Sequence, residues 1–301
     1  MQVRKSLKFV SVAAAISMLG VACASGTDGN VPAADGSPHA MQAANVSLNE
    51  GAPALDAGLT DLLDGHVYLA GIAIVEGVTN GLDSPQFKTA AATLDQNSQD
   101  LSAAIASVYG DAAGQQFLSL WRKHIGFFVD YTAGRATGDK AKEAKALKAL
   151  ENYKKDFSAF LAKATGGNLP ASSAAQALQM HVDSLIDAIN AVVDGKGDPF
   201  ALLYTAAHEH MPATAGALSG AIAKQFPEKF GGSTTSAGAE LQNTLTDLLD
   251  GHVYLAGIAI VEGVTNGLDS PQFKTAAATL DQNSQDLSAA IASVYGDAAG
   301  Q

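Results

Sequence analysis

Leu59-Thr-Asp-Leu-Leu-Asp-Gly-His66-Val-Tyr-Leu-Ala70 is read twice in this chain, returning as Leu245-Thr-Asp-Leu-Leu-Asp-Gly-His252-Val-Tyr-Leu-Ala256. The identity continues without a change, so that residues 245–301 repeat residues 59–115 at a constant offset of 186. An internal repeat decides architecture before any local assignment does. Within the quoted stretch, Leu59, Leu63, Val67 and Ala70 stand at −7, −3, +1 and +4 from His66. That spacing places all of them, and the histidine, on one face of a 3.6-residue helix. The same frame recurs in diverged form around His124 (Phe117, Trp121, Ile125, Phe128) and His181 (Ala174, Leu178, Val182, Leu185). Each histidine therefore belongs to an apolar, core-facing stripe.

Each stripe runs into a turn: Gly81-Leu82-Asp83, Gly138-Asp139 or Gly195-Lys196-Gly197-Asp198. Glycine ends a helix in the left-handed conformation, and aspartate caps the next helix by accepting from its free N–H groups. Pro85 and Pro199 suit the first helical turn. The second helices align as well, on Leu101-Ser102, Phe157-Ser158 and Leu218-Ser219. Ile105, Leu161 and Ile222 follow each serine by three; Leu94, Leu150 and Met211 precede each pair by seven. The unit is thus an αα-hairpin of nearly 60 residues, and the predicted fold is all-α: an array of αα-hairpins with six helices in the complete domain plus one extra hairpin. Trp121, Phe117, Phe127, Phe128 and Tyr131 make the helix around His124 apolar on most sides, which marks it as the central helix; an apolar ligand pocket there is the other reading.

The expected organisation is a signal peptide at 1–22, a flexible tether at 23–58, the six-helix domain at 59–230, a linker at 231–244 and a truncated repeat of the first hairpin at 245–301. Arg4, Lys5 and Lys8 precede an apolar run from Phe9 to Val21, too short for a membrane span and suited to an export signal. Cys23, the one cysteine, closes that run after Leu19-Gly20-Val21-Ala22. It reads as the lipidated first residue of a bacterial prelipoprotein, although Leu19 lies one position further out than usual; cleavage after Ala24 is the alternative. Lipidation implies an extracytoplasmic protein of the cell envelope, anchored to the membrane. With one cysteine no internal disulfide forms, so stability comes from burial. After residue 22 the chain carries 15 Lys/Arg against 30 Asp/Glu, a net charge of −15. Such a surface argues against nucleic acid as partner.

The segments Phe117-Leu-Ser-Leu-Trp-Arg-Lys-His124-Ile-Gly-Phe-Phe-Val-Asp130-Tyr131 and Gln225-Phe-Pro-Glu-Lys-Phe230 resemble secreted helical proteins of bacteria with no assigned activity. The resemblance spans residues 59–230 and again 245–301. Some proteins of that kind are fused to segments labelled copper-amine-oxidase-like, but the label belongs to the fused segment. The resemblance implies a secreted helical domain and transfers no catalytic residue.

Candidate chemistry rests on histidines. If the hairpins pack with pseudo-symmetry, His66, His124 and His181 converge, and three neutral imidazoles suit zinc or copper. The alternative is that each is a core histidine bonded to a carbonyl or carboxylate. His208-Glu209-His210 is a second candidate, though residues two apart on a helix point about 200° apart and cannot share one ion; a helix end or kink, near Pro212, would change that. Glu-x-x-His pairs of di-iron bundles are absent, as are CxxC, HExxH, P-loop and Gly-x-Ser-x-Gly motifs. The functional expectation is a non-enzymatic interaction or ligand-binding module at the envelope. The alternative is a metal-binding protein, or a metal-dependent enzyme, with a transition-metal ion as cofactor. The repeated hairpin lacks the two hairpins that should cover its stripe, so Leu249, Val253, Ile258 and Ile260 are expected to face water on a marginal, separately moving element.

Overall fold

The computed structural model describes residues 50–301, and among these all regular structure is helical. Cys23 and the expected export signal lie outside the described residues. Helices α1 (Gly51–Asn80) and α2 (Pro85–Tyr109) form the first hairpin; α3 (Asp111–Thr137) and α4 (Lys140–Ala164) form the second. The third pairs α5 (Ala171–Asp194) with a rod made of α6 (Pro199–Thr205), a π turn (Ala206–His210) and α7 (Met211–Gln225). The repeated hairpin is α8 (Ala237–Asn266) and α9 (Pro271–Tyr295), followed by the short α10 (Asp297–Gly300).

The turns follow glycine and capping chemistry. Gly138 and Gly195 close α3 and α5 in the left-handed region, at φ 73° and 61°. Asp139 accepts from the Lys142 N–H, and Asp198 from those of Phe200 and Ala201. At the first turn Ser84, not Asp83, caps α2 by accepting from the Phe87 N–H. Ser84 stands directly before Pro85, so only Ser84 reaches the N3 amide.

Two boundaries move outward. α1 begins at Gly51, eight residues before the predicted start, with Ala52, Pro53, Asp56 and Ala57 buried. Proline near the start and alanine beyond it favour helix, and Asp56 accepts from Ser219 Oγ of α7 at 2.8 Å. α8 begins at Ala237, capped by Ser236 accepting from the Ala239 N–H. Much of the tether's end and half of the linker are therefore helix.

The aligned stripes face one another. Leu59, Leu63, Val67, Phe117, Trp121, Phe128, Ala174, Val182 and Leu185 are all buried, as are Leu94, Leu101, Ile105, Leu150, Phe157, Leu161, Met211, Leu218 and Ile222 of the second helices. The central helix is α1, not α3: it packs on α2, α7 and α8 and also touches α3, α5 and α6. Its small residues explain this, because they let neighbours approach where a larger side chain would stand. Gly71 admits the Leu203 side chain, Gly77 those of Leu82 and Phe87, and Gly65 the Tyr254 hydroxyl.

The repeated hairpin is docked, not detached. Tyr254 of α8 stacks on Tyr68 of α1 with ring centroids 5.2 Å apart, Ile258 is buried, and Tyr204 of α6 donates to Asp286 of α9 at 2.6 Å. The expectation of a loose element overlooked that α1 has two apolar faces; the second one receives the copy. Leu249, Val253 and Ile260 do face water.

Candidate metal centre

His66 from α1, His124 from α3 and His181 from α5 meet in the middle of the three-hairpin core. One nitrogen from each lies within 4.8 Å of the other two, and all three residues are buried. Nε2 of His66 and Nε2 of His124 are 3.4 Å apart. At Zn–N or Cu–N distances of 2.0–2.1 Å, ligand nitrogens around one ion sit roughly 3.4 Å from each other. One edge of the triangle already has that length, and small ring rotations, on the order of 1 Å at the nitrogen, close the other two.

The surroundings are aromatic and apolar. Trp121 lies 4.7 Å from His66 and 4.6 Å from His124 between ring centroids, Tyr153 stacks on His124 at 4.9 Å, and Phe128 lies edge-on to His181. Burial drives the histidines to stay neutral. It holds His66 well below the usual imidazole range, helped by its two neighbours. It lowers His124 to about 3, with His181 adding to the effect, and His181 to about 4, with His210 adding. At neutral pH no proton competes for their lone pairs. The Nδ1 atoms of all three are buried without a hydrogen-bond partner. An orphaned buried polar atom costs about 1–3 kcal/mol, so the cluster is a place where the fold gives up stability.

Two cavities adjoin the cluster. His66, His124 and His181 border a small one of about 40 Å³. His66 and His181 also border a larger one of about 250 Å³, lined by Trp121, Phe157, Met180, His210 and Met211 among others. Met180 is 42% exposed and stands at its edge, whereas Met211 is buried. In the sequence Met211 reads as a core position and neither thioether as a donor, although Met180-His181 and His210-Met211 are neighbouring pairs that carry the signal.

His208 and His210 do not join the cluster. Both lie in the π turn, where Pro212 has no N–H to offer the His208 carbonyl, so regular α bonding cannot run through. His208 stacks on Tyr204 and pairs through Nδ1 with the Asp247 carboxylate of α8; that hydrogen bond raises its pKa. His210 Nδ1 lies 3.4 Å from Ser184 Oγ and faces the larger cavity. The two side chains point to different neighbours, as their spacing of two requires.

A second titratable group gathers where α1 meets α8. Asp64 is fully buried and its carboxyl is pushed up to about 10 by burial and by Asp247 and Asp250; Asp250 is raised to about 7 by burial and by Asp61. Protonated Asp64 can donate to Asp247, which in turn holds His208. No protein-family model, curated protein or solved structure matches the chain.

Proposed function

We propose that this protein is a metal-binding helical module of the cell envelope, lipid-anchored through Cys23, which holds a single copper ion in its cuprous state between His66, His124 and His181. The observation that carries the reading is the convergence of three buried, neutral imidazoles from three separate hairpins. Charge favours copper(I) over zinc. No carboxylate stands among the clustered ligands. A divalent ion would bring two uncompensated charges into an apolar core, and the cost of burying charge rises with its square. Copper(I) brings one, accepts three ligands and prefers soft or imidazole donors. The Met180 and Met211 thioethers beside the larger cavity are soft donors along an approach to the cluster. Binding rather than catalysis is the reading because three buried imidazoles suffice to hold an ion, and no carboxylate stands among them.

The test is copper(I) titration of the purified mature protein under anaerobic, reducing conditions, read by competition with a chromogenic chelator. One copper per chain is expected for the wild type. His124→Leu and His181→Leu, whose apolar side chains preserve the packing, should each lose it while keeping the helical circular dichroism. Copper binding that is absent from the wild type, or retained at the wild-type level in either variant, overturns the reading; tight zinc binding with weak copper binding replaces the ion.

A further inference from the structure

The open apolar face of the C-terminal hairpin has its partner in view elsewhere in the same molecule. Leu249, Val253, Ile260 and Val264 are 54%, 69%, 65% and 83% exposed. The counterparts of the first three, 186 residues earlier, behave oppositely: Leu63 and Val67 are buried, and Ile74 packs against the core. What covers them is the layer of α3 to α7. The two faces have the same side chains on the same helix, so the layer that fits one fits the other.

The contact between the copies is self-complementary. Tyr68 stacks on Tyr254, its own counterpart. Gly65 faces the Tyr254 hydroxyl and Gly251 that of Tyr68. Within each hairpin the helix that carries the tyrosine is held alike: Asn97 donates to the Leu62 carbonyl at 3.0 Å, and Asn283 to the Leu248 carbonyl at 2.9 Å. Ile72, Val75 and Glu76 share a cavity with Ile258, Val261 and Glu262. A pseudo-two-fold axis therefore relates the hairpins, as in an isologous dimer. Trading their places leaves this contact unchanged. Among the described residues, two equivalent faces thus stand against one such layer.

The linker that leads into α8 starts beside α1. The Ala52 N–H donates to the Gly231 carbonyl at 2.9 Å, so the chain leaving α7 already passes the start of α1. From Gly231 to Ala237, the counterpart of Gly51, six residues can extend about 20 Å. The first turn of α3 also has a duplicate: Ser102 Oγ donates to the Gly114 carbonyl, and Ser288 Oγ to that of Gly300 in α10. α10 can take over where that first turn peels away.

We propose that α8–α9 is an interchangeable partner for the α3–α7 layer, and that His252 takes the place of His66 in the three-histidine cluster when the hairpins trade. In the arrangement described, His252 is spare: its Nδ1 lies 3.1 Å from Asn283 Oδ1. The role of His252 as a ligand rests on the copper reading; the exchange itself does not.

The test uses the full chain in a Cys23→Ser background. Leu63→Cys weakens the first face and leaves the second intact, so the intact copy gains the core. Its thiol should react with a maleimide under native conditions at least about ten-fold faster than that of Leu150→Cys, a buried position of α4 with no duplicate. Adding Leu249→Asp, which spoils the second face, should return the Leu63→Cys thiol to the slow rate. Equal rates for the two cysteines, or a fast rate that Leu249→Asp leaves unchanged, overturn the exchange. In the second arm, His66→Leu should keep one copper per chain and the His66→Leu/His252→Leu double variant should lose it. Loss of copper in His66→Leu alone overturns the role of His252. A wild type that binds no copper overturns the functional reading, and the labelling arm still decides the exchange.

Discussion

His124→Leu separates a cluster kept for ligand binding from one kept for packing. The side chain is buried against Trp121 and Tyr153, and its Nδ1 has no partner. At pH 7, leucine removes that orphan. It also loses aromatic contact and leaves His66 Nε2 without its neighbour. These effects oppose each other, each about 1 kcal/mol, and the net change should be small. Acid pulls the two proteins apart. The folded histidine has its pKa lowered to about 3 from 6.5. Between those values the unfolded chain binds the proton and the folded one does not, so folding stability falls as pH falls through 6.5. At pH 5 the drop is 1.5 pH units below the unfolded pKa, or about 2 kcal/mol for this residue. His124→Leu should therefore be about 2 kcal/mol more stable relative to wild type at pH 5 than at pH 7. Urea unfolding followed by circular dichroism, with chelator present, measures it. Copper reverses the order: at a hundred times its Kd, a ligand adds about 2.7 kcal/mol to wild type and nothing to the variant. If the stability difference between the two proteins is the same at pH 7 and pH 5, His124 titrates as a solvated group and the buried cluster described above is wrong.

Trp121→Ala should destabilise by roughly 3–5 kcal/mol, since the ring is buried against Phe117, Phe157 and two histidines; a loss under about 1 kcal/mol in denaturant unfolding would contradict that packing. Asp64 and Asp250 have folded pKa values of about 10 and 7, above their unfolded values, so the folded state holds extra protons and loses stability as pH rises through those ranges. Limited proteolysis should accordingly release residues 237–301 faster at pH 9 than at pH 6, and Asp64→Asn should flatten that dependence; a pH-independent rate would refute it. Cys23→Ser should move the protein from the membrane to the soluble fraction of the envelope, and unchanged membrane fractionation would show that the anchor lies elsewhere.

Helix type, hairpin order and the core-facing stripe of each helix in the first three hairpins were legible in the chain, because helical periodicity is a local property. The −7, −3, +1, +4 frame around His66, His124 and His181 marks stripes that the fold does bury. The convergence of those histidines followed from the same frame once the hairpins were taken as repeats. Local capping was legible at Asp139 and Asp198, and misread at Asp83 because neighbouring Ser84 competes for the same amide.

What only tertiary structure decided concerns surfaces with more than one possible partner. Periodicity assigns a helix an apolar face; it does not say that α1 carries a second one, formed where Gly65 and Tyr68 meet Tyr254 and Gly251. Nor does it say which of two identical hairpins fills the core. The same 57 residues bury Leu63 and expose Leu249. Their sequence sets what each face can fit, while the surrounding helices, and the order in which the chain delivers them, decide which face is filled.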